Sequence, residues 1–120
     1  CKGTILLQIK NWRKCAMLKL KAGVRCVGMK PELMLAVSIC HDTYDKWGGD
    51  CIITSMCDGN HSSGSLHYSG AAIDLRTRHI PETTAESITE ELKNSLGVDF
   101  DVVLEDDHIH VEFQPKSGYP

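Results

Sequence analysis

A chain of 120 residues with 42% hydrophobic residues, 24% charged residues and a formal net charge of -3 suits one globular domain with one core. No stretch approaches the ~18 apolar residues that a membrane-spanning helix needs, so no membrane partner is expected. Lys10, Arg13, Lys14, Lys19 and Lys21 are scattered rather than run together. They read as a solvated face, and nothing in the charge pattern argues for nucleic acid.

In chain order, residues 1–16 come first, with Trp12, isolated basic residues and a short apolar run of no clear period. They are expected to form a peripheral arm, and residues 17–120 the domain proper. Residues 4–9 are too short for the core of a signal peptide, and no small-residue cleavage site follows them. The chain begins at Cys1 rather than Met, so a fragment or a processed form is expected, and localisation is left open. Leu18 and Leu20 alternate with Lys19 and Lys21, as in a short strand. Pro31 opens a helix at the position where its missing N–H costs nothing. Leu33, Val37, Cys40, Tyr44 and Trp47 form the apolar stripe of that helix, and Gly48-Gly49 ends it.

Residues 51–56 are the next strand, followed by turn and loop material through Gly64. Residues 70–76 read as a strand with Ala71, Ile73 and Leu75 on one face and Ala72, Asp74 and Arg76 on the other. A second helix begins near Thr83, where Thr83 and Glu86 fit a capping box. Its buried stripe is Ala85, Ile88, Leu92 and Leu96, and Gly97 closes it. Residues 100–104 and 108–113 are the last strands, joined as a hairpin by the acidic residues 105–107. The tail from Gln114 is expected to be loose. The class is α+β: a small antiparallel sheet with about two packed helices.

Six cysteines, at 1, 15, 26, 40, 51 and 57, lie in the first half of the chain. Three disulfides would allow fifteen pairings. With no secretion signal and Cys40 on an apolar helix face, reduced and partly buried thiols are expected. No Cys-x-x-Cys pair is present, which argues against a four-cysteine zinc site.

The functional residues concentrate in two segments, Ser65-Leu66-His67-Tyr68-Ser69-Gly70-Ala71-Ala72-Ile73-Asp74 and Asp107-His108-Ile109-His110. Two histidines and a carboxylate suit Zn2+, and three protein ligands leave a position for the water that a hydrolase needs. His108 and His110 fall on one face of a strand, with Ile109, Val111 and Phe113 on the other. Alone, that pair would be two solvent-facing histidines on an edge strand. Asp74 sits mid-strand among apolar neighbours, where a carboxylate needs a partner. A salt bridge to Arg76 or Arg78 is the simpler alternative to a metal. His41 and His79 are assigned to the surface.

The two segments together resemble the zinc D-alanyl-D-alanine peptidase superfamily. That group includes bacterial D,D-carboxypeptidases, phage L-alanyl-D-glutamate endopeptidases and the hedgehog signalling domain. Its signature, Ser-x-His-x-x-Gly-x-Ala-x-Asp followed by a late His-x-His, is matched at Ser65, His67, Gly70, Ala72, Asp74 and His110. The resemblance spans roughly residues 18–116 and is strongest to small phage-type members. It implies a hedgehog-like fold with His67, Asp74 and His110 as zinc ligands. His108 would then stand beside the metal, either bonding the oxyanion or only orienting the site. A carboxylate just before the last ligand would be the general base; Asp107 has the commoner spacing and Glu105 resembles the hedgehog glutamate. His61 corresponds to a further cleft histidine in hedgehog, with an ordinary loop histidine as the alternative.

The implied substrate is a peptidoglycan peptide, of D-Ala-D-Ala or L-Ala-D-Glu type, and the source would be bacterial or phage. D,D-carboxypeptidases hold the substrate carboxylate with an arginine upstream of the first ligand, yet residues 54–67 contain no Arg or Lys. That departure favours cleavage within a stem or cross-link peptide, unless Arg25 supplies the clamp from another strand. The hedgehog domain keeps its zinc without established peptidase work. A zinc-stabilised binding module, for instance a virion component, is therefore the rival. A metal-free, disulfide-rich domain is the third reading. No large exposed apolar stripe is evident, so a monomer is the default.

Overall fold

The computed structural model describes residues 16–26, 28–56 and 71–115. Seven elements follow one another: β1 (Leu18–Leu20), α1 (Pro31–Lys46), β2 (Cys51–Ser55), β3 (Ala72–Arg76), α2 (Glu82–Leu96), β4 (Phe100–Leu104) and β5 (His108–Phe113). The strands form one sheet in the order β1-β2-β3-β5-β4. The expected α+β class holds, with one correction to the purely antiparallel sheet. β1 runs parallel to β2, placing Leu18 opposite Cys51 and Leu20 opposite Ile53. A parallel neighbour requires a long crossover, and here the crossover contains α1.

Period-two alternation sorts the strands into two faces. Cys51, Ile53, Ile73, Leu75, Val102, Ile109, Val111 and Phe113 form one core with Leu33, Val37, Cys40 and Tyr44 of α1 and Ile88 and Leu92 of α2. Each fully buried leucine or isoleucine contributes about 1.5–3 kcal/mol by leaving water. Both helices therefore cover the same face. The other face carries Asp74, Arg76, His108, His110 and Glu112 from the two central strands.

Several local expectations need correction. The stripe of α1 ends at Tyr44, because the helix stops at Lys46 and Gly48 turns the chain with φ 82. Trp47 is consequently exposed, and its Nε1 donates to Glu91 Oε1 at 3.3 Å rather than packing in the core. At Gly49 the approach is close for a different reason: a Cβ there would stand 3.0 Å from Ile80 Cγ2, which would have to give way. At the start of α2, Pro81 is the N-cap and Glu82 the first helical residue, so Thr83 lies inside the helix and no side chain caps it. Leu18 and Leu20 are both exposed on their three-residue edge strand. Gln114 is not loose, since its backbone N–H donates to Asp99 O at 2.6 Å.

Of the expected arm, residues 1–15 lie outside the described residues. Ala16 is tied to α1 by its N–H on Asp45 Oδ1 at 2.9 Å and its carbonyl 3.0 Å from His41 Nε2. His79 is exposed as expected, stacked on Tyr44 with ring centroids 6.1 Å apart, while His41 is half-buried. Among the described cysteines, Cys26, Cys40 and Cys51 are free thiols.

Candidate functional site on the open face of the sheet

Antiparallel pairing of β3 with β5 places Asp74 opposite His110 and Arg76 opposite His108. Residues directly opposite share a face and lie close enough for side-chain contact. Asp74 Oδ1 is 2.8 Å from His110 Nδ1 and 3.8 Å from His108 Nε2. The simpler expectation for Asp74, an ion pair with Arg76 or Arg78, gives way to these histidine contacts.

Neighbouring structure holds the pair in place. The buried Tyr44 hydroxyl donates to the Arg76 carbonyl at 2.8 Å, fixing the end of β3 to α1. The Thr77 N–H donates to the Asp107 carbonyl at 3.2 Å, joining that end to the β4–β5 turn. Glu105 N–H donates to His108 O at 2.8 Å and closes the hairpin. A bulge in β2 completes the frame. Ile53 pairs with Leu75 but Ser55 pairs with Asp74, so the register slips by one residue beside the site. Bulges of this kind re-aim a side chain, and Ser55 lines the cleft next to Asp74.

The electrostatics follow from these contacts. His110 has a carboxylate on each ring nitrogen, with Asp74 on Nδ1 at 2.8 Å and Glu112 Oε1 on Nε2 at 2.8 Å. Donation from both nitrogens requires the charged ring. The Asp74 hydrogen bond, helped by Glu112 and opposed by burial, accordingly raises the His110 pKa above its ordinary value. His108 Nδ1 lies 2.7 Å from Asp107 Oδ1, and this hydrogen bond holds the exposed Asp107 carboxyl below the usual carboxylate range.

Two clefts open beside His108. One, of about 320 Å³, is lined by Lys21, Thr54, Ser55, Asp74, Arg76, Arg78, Asp107 and His108. The other, of about 310 Å³, is lined by Val103, Glu105, His108 and His110. Asp107 thus lines one cleft with His108, and Glu105 the other. Arg76 Nε is buried in the first cleft wall, with no hydrogen-bond acceptor among the described residues.

Of the expected metal ligands, Asp74 and His110 come together, while His67 lies outside the described residues, as does His61. Among the described residues, no group of three His, Cys, Asp or Glu side chains forms a metal site. The donor chemistry of the pair nonetheless suits zinc. Zinc takes imidazole nitrogen and carboxylate oxygen at about 2.0–2.2 Å, so donors to one ion must lie within ~4 Å of each other, as Asp74 Oδ1 and His110 Nδ1 do.

Glu112, Arg76 and Lys21 were not singled out by the sequence. Glu112 continues the alternation of His108 and His110, and that periodicity was the available signal. Arg76 was placed on the correct face but read only as a partner for Asp74. Arg25, the cation considered instead, lies in the segment between β1 and α1 and is not among the residues lining either cleft. No protein-family model matches this chain, and no curated protein is significantly similar to it.

Proposed function

We propose that this protein is a zinc-dependent peptidase that hydrolyses bonds in the stem or cross-link peptides of peptidoglycan. The observation that carries the reading is the Asp74–His110 pair. These residues stand 36 positions apart in sequence, yet meet at 2.8 Å on the face of the sheet opposite α1 and α2. The match of residues 65–74 and 107–110 to the D,D-peptidase signature supports it.

His67, Asp74 and His110 would hold the metal. Bound there, zinc supplies a Lewis acid and lowers the pKa of a water to about 7. The remaining work falls to the chain's own side chains. Asp107 or Glu105 takes the proton of the attacking water and passes it to the leaving amine. An N–H of His108 donates to the oxygen that gains charge at the scissile carbonyl. Arg76, with Lys21 and Arg78 beside it, offers charged donors to carbonyl or carboxylate oxygens of the substrate. These cations, from the end of β3 and the residues after β1 and β3, would stand in for the Arg and Lys that residues 54–67 lack.

One observation favours the rival reading, a non-catalytic zinc-stabilised binding or virion module. Asp107 is already engaged by His108 at 2.7 Å, and its lowered pKa makes it a weaker base. The Asp107→Ala/Glu105→Ala double variant separates the two. The enzyme reading expects zinc content to persist and turnover of cross-linked or linear muropeptides to fall by about 10²–10⁴-fold. Unchanged turnover with zinc retained would remove both carboxylates from the mechanism. No turnover by the zinc-loaded wild type on either substrate would favour the binding module.

A further inference from the structure

We infer that the cleft lined by Lys21, Thr54, Ser55, Arg76 and Arg78 is a subsite for a carboxylate of the substrate peptide, with Arg76 the residue that sets this specificity. The inference rests on the peptidase reading for its ligand, a peptide, and goes beyond it by requiring a free acid group near the scissile bond. Arg76 is the last residue of β3, opposite His108 on β5. Its backbone is fixed, because its carbonyl accepts from the buried Tyr44 hydroxyl at 2.8 Å. Its side chain is half-buried, and Nε is fully covered yet has no acceptor among the described residues. Buried N–H groups nearly always find a partner. The carboxylates that line the cleft are engaged elsewhere, Asp74 by His110 at 2.8 Å and Asp107 by His108 at 2.7 Å. Packing rather than a protein acceptor therefore holds this guanidinium in the wall. Lys21 lines the cleft from the β1 side, tied beside β2 by its N–H on Ile53 O at 2.9 Å.

Charge and shape name the ligand. Three cations against two carboxylates leave one positive charge in the lining of this 320 Å³ cleft. That balance suits a singly charged carboxylate better than a phosphate, which carries closer to two charges. A planar guanidinium meets a planar carboxylate through two parallel hydrogen bonds, stronger than those between neutral groups. A carboxamide of the same shape has no charge and turns an N–H donor toward the cations. The cleft should therefore tell a free acid from its amide. A stem peptide carries such an acid at its carboxyl terminus and another on its D-Glu, which is linked through the side chain, and either could fill the cleft.

The test uses the full chain as purified and one synthetic pentapeptide, L-Ala-D-Glu-L-Lys-D-Ala-D-Ala, in three forms: both acids free, the carboxyl terminus amidated, and the D-Glu acid amidated. Calorimetry gives the dissociation constant of each, and mass spectrometry shows whether the recovered peptide has been cut. Where it has, the ratios of kcat/KM replace those of the dissociation constants. One amide is expected to be about 10–100-fold poorer than the free acid, and which one it is names the carboxylate. In Arg76→Gln the free acid should fall to the level of that amide, while the amide itself is unchanged, an asymmetry that a merely structural role would not produce. If Arg76→Gln does not fold, the Lys21→Gln/Arg78→Gln double variant is read in the same way. Two amides as good as the free acid, or a gap that persists in the variant, would overturn the inference and leave the peptidase reading standing if the peptide is cut. Selective binding without cleavage would sustain the carboxylate site and count against the peptidase. Neither binding nor cleavage of any form would remove both.

Discussion

At the scale of single residues, His110 is the side chain on which the account turns. Its hydrogen bond to Asp74, with that to Glu112 and against the opposing effect of burial, raises its pKa above the ordinary 6.5. These contacts favour the charged ring. Their stabilisation is therefore complete below about pH 6.5 and is lost as pH rises through the raised folded-state value. The stability of the metal-free protein relative to His110→Gln should accordingly shrink as pH rises above about 6.5. Urea unfolding at several pH values measures this, and a difference independent of pH would contradict the contacts described. Much of this residue-level chemistry was legible beforehand. The alternation His108, Ile109, His110, Val111 fixes which side chains leave the core, whatever the tertiary structure. What it does not fix is the partner across the sheet. Register comes from tertiary pairing, so the alternation carries Glu112 to the same face as His110 but does not by itself place Asp74 opposite His110.

At the scale of elements, the helices show where local rules were overridden. Thr83 and Glu86 have the spacing of a capping box, but Pro81 takes the N-cap position and the helix starts at Glu82. Proline has no N–H and tolerates a helix start, so the true boundary falls two residues before the capping motif. Thr83→Ala should therefore cost less than the ~1 kcal/mol of a lost cap. Leu92→Ala, at a fully buried position of the same helix, should cost about 2–5 kcal/mol. Denaturant midpoints of the two variants decide the point; a Thr83→Ala loss near that of a cap would contradict the assigned start. Trp47 gives the complementary lesson. Its spacing continues the stripe of α1, but Gly48 turns the chain one residue later and leaves the ring between the helices at Glu91. The parallel pairing of β1 had no local signal either, because three residues of alternating Leu and Lys pair equally well in either direction.

At the scale of the whole molecule, the sheet divides the chain into a dry side and an open side. The dry side holds the thiols of Cys40 and Cys51. Burial raises both, Cys51 to about 12 and Cys40 further, so neither is a nucleophile at neutral pH. Alkylation of the native protein followed by peptide mapping should label the exposed Cys26 and spare Cys40 and Cys51, which react only after unfolding. Rapid labelling of Cys40 in the native protein would contradict the core as described. The open side gathers Asp74, His108, His110, Glu112, Asp107 and Arg76 from β3, β5 and the turn before β5, each held by backbone pairing to a rigid neighbour. Binary patterning alone separates these two sides, which is why fold class and site face were readable while cleft-lining cations were not.

The most direct measurement is the metal content of the purified, unsupplemented protein by mass spectrometry, with His67→Ala and His110→Ala measured beside it. About one zinc per chain is expected in the wild type, and its loss in both variants. A wild type that holds no zinc even after zinc is added would contradict it.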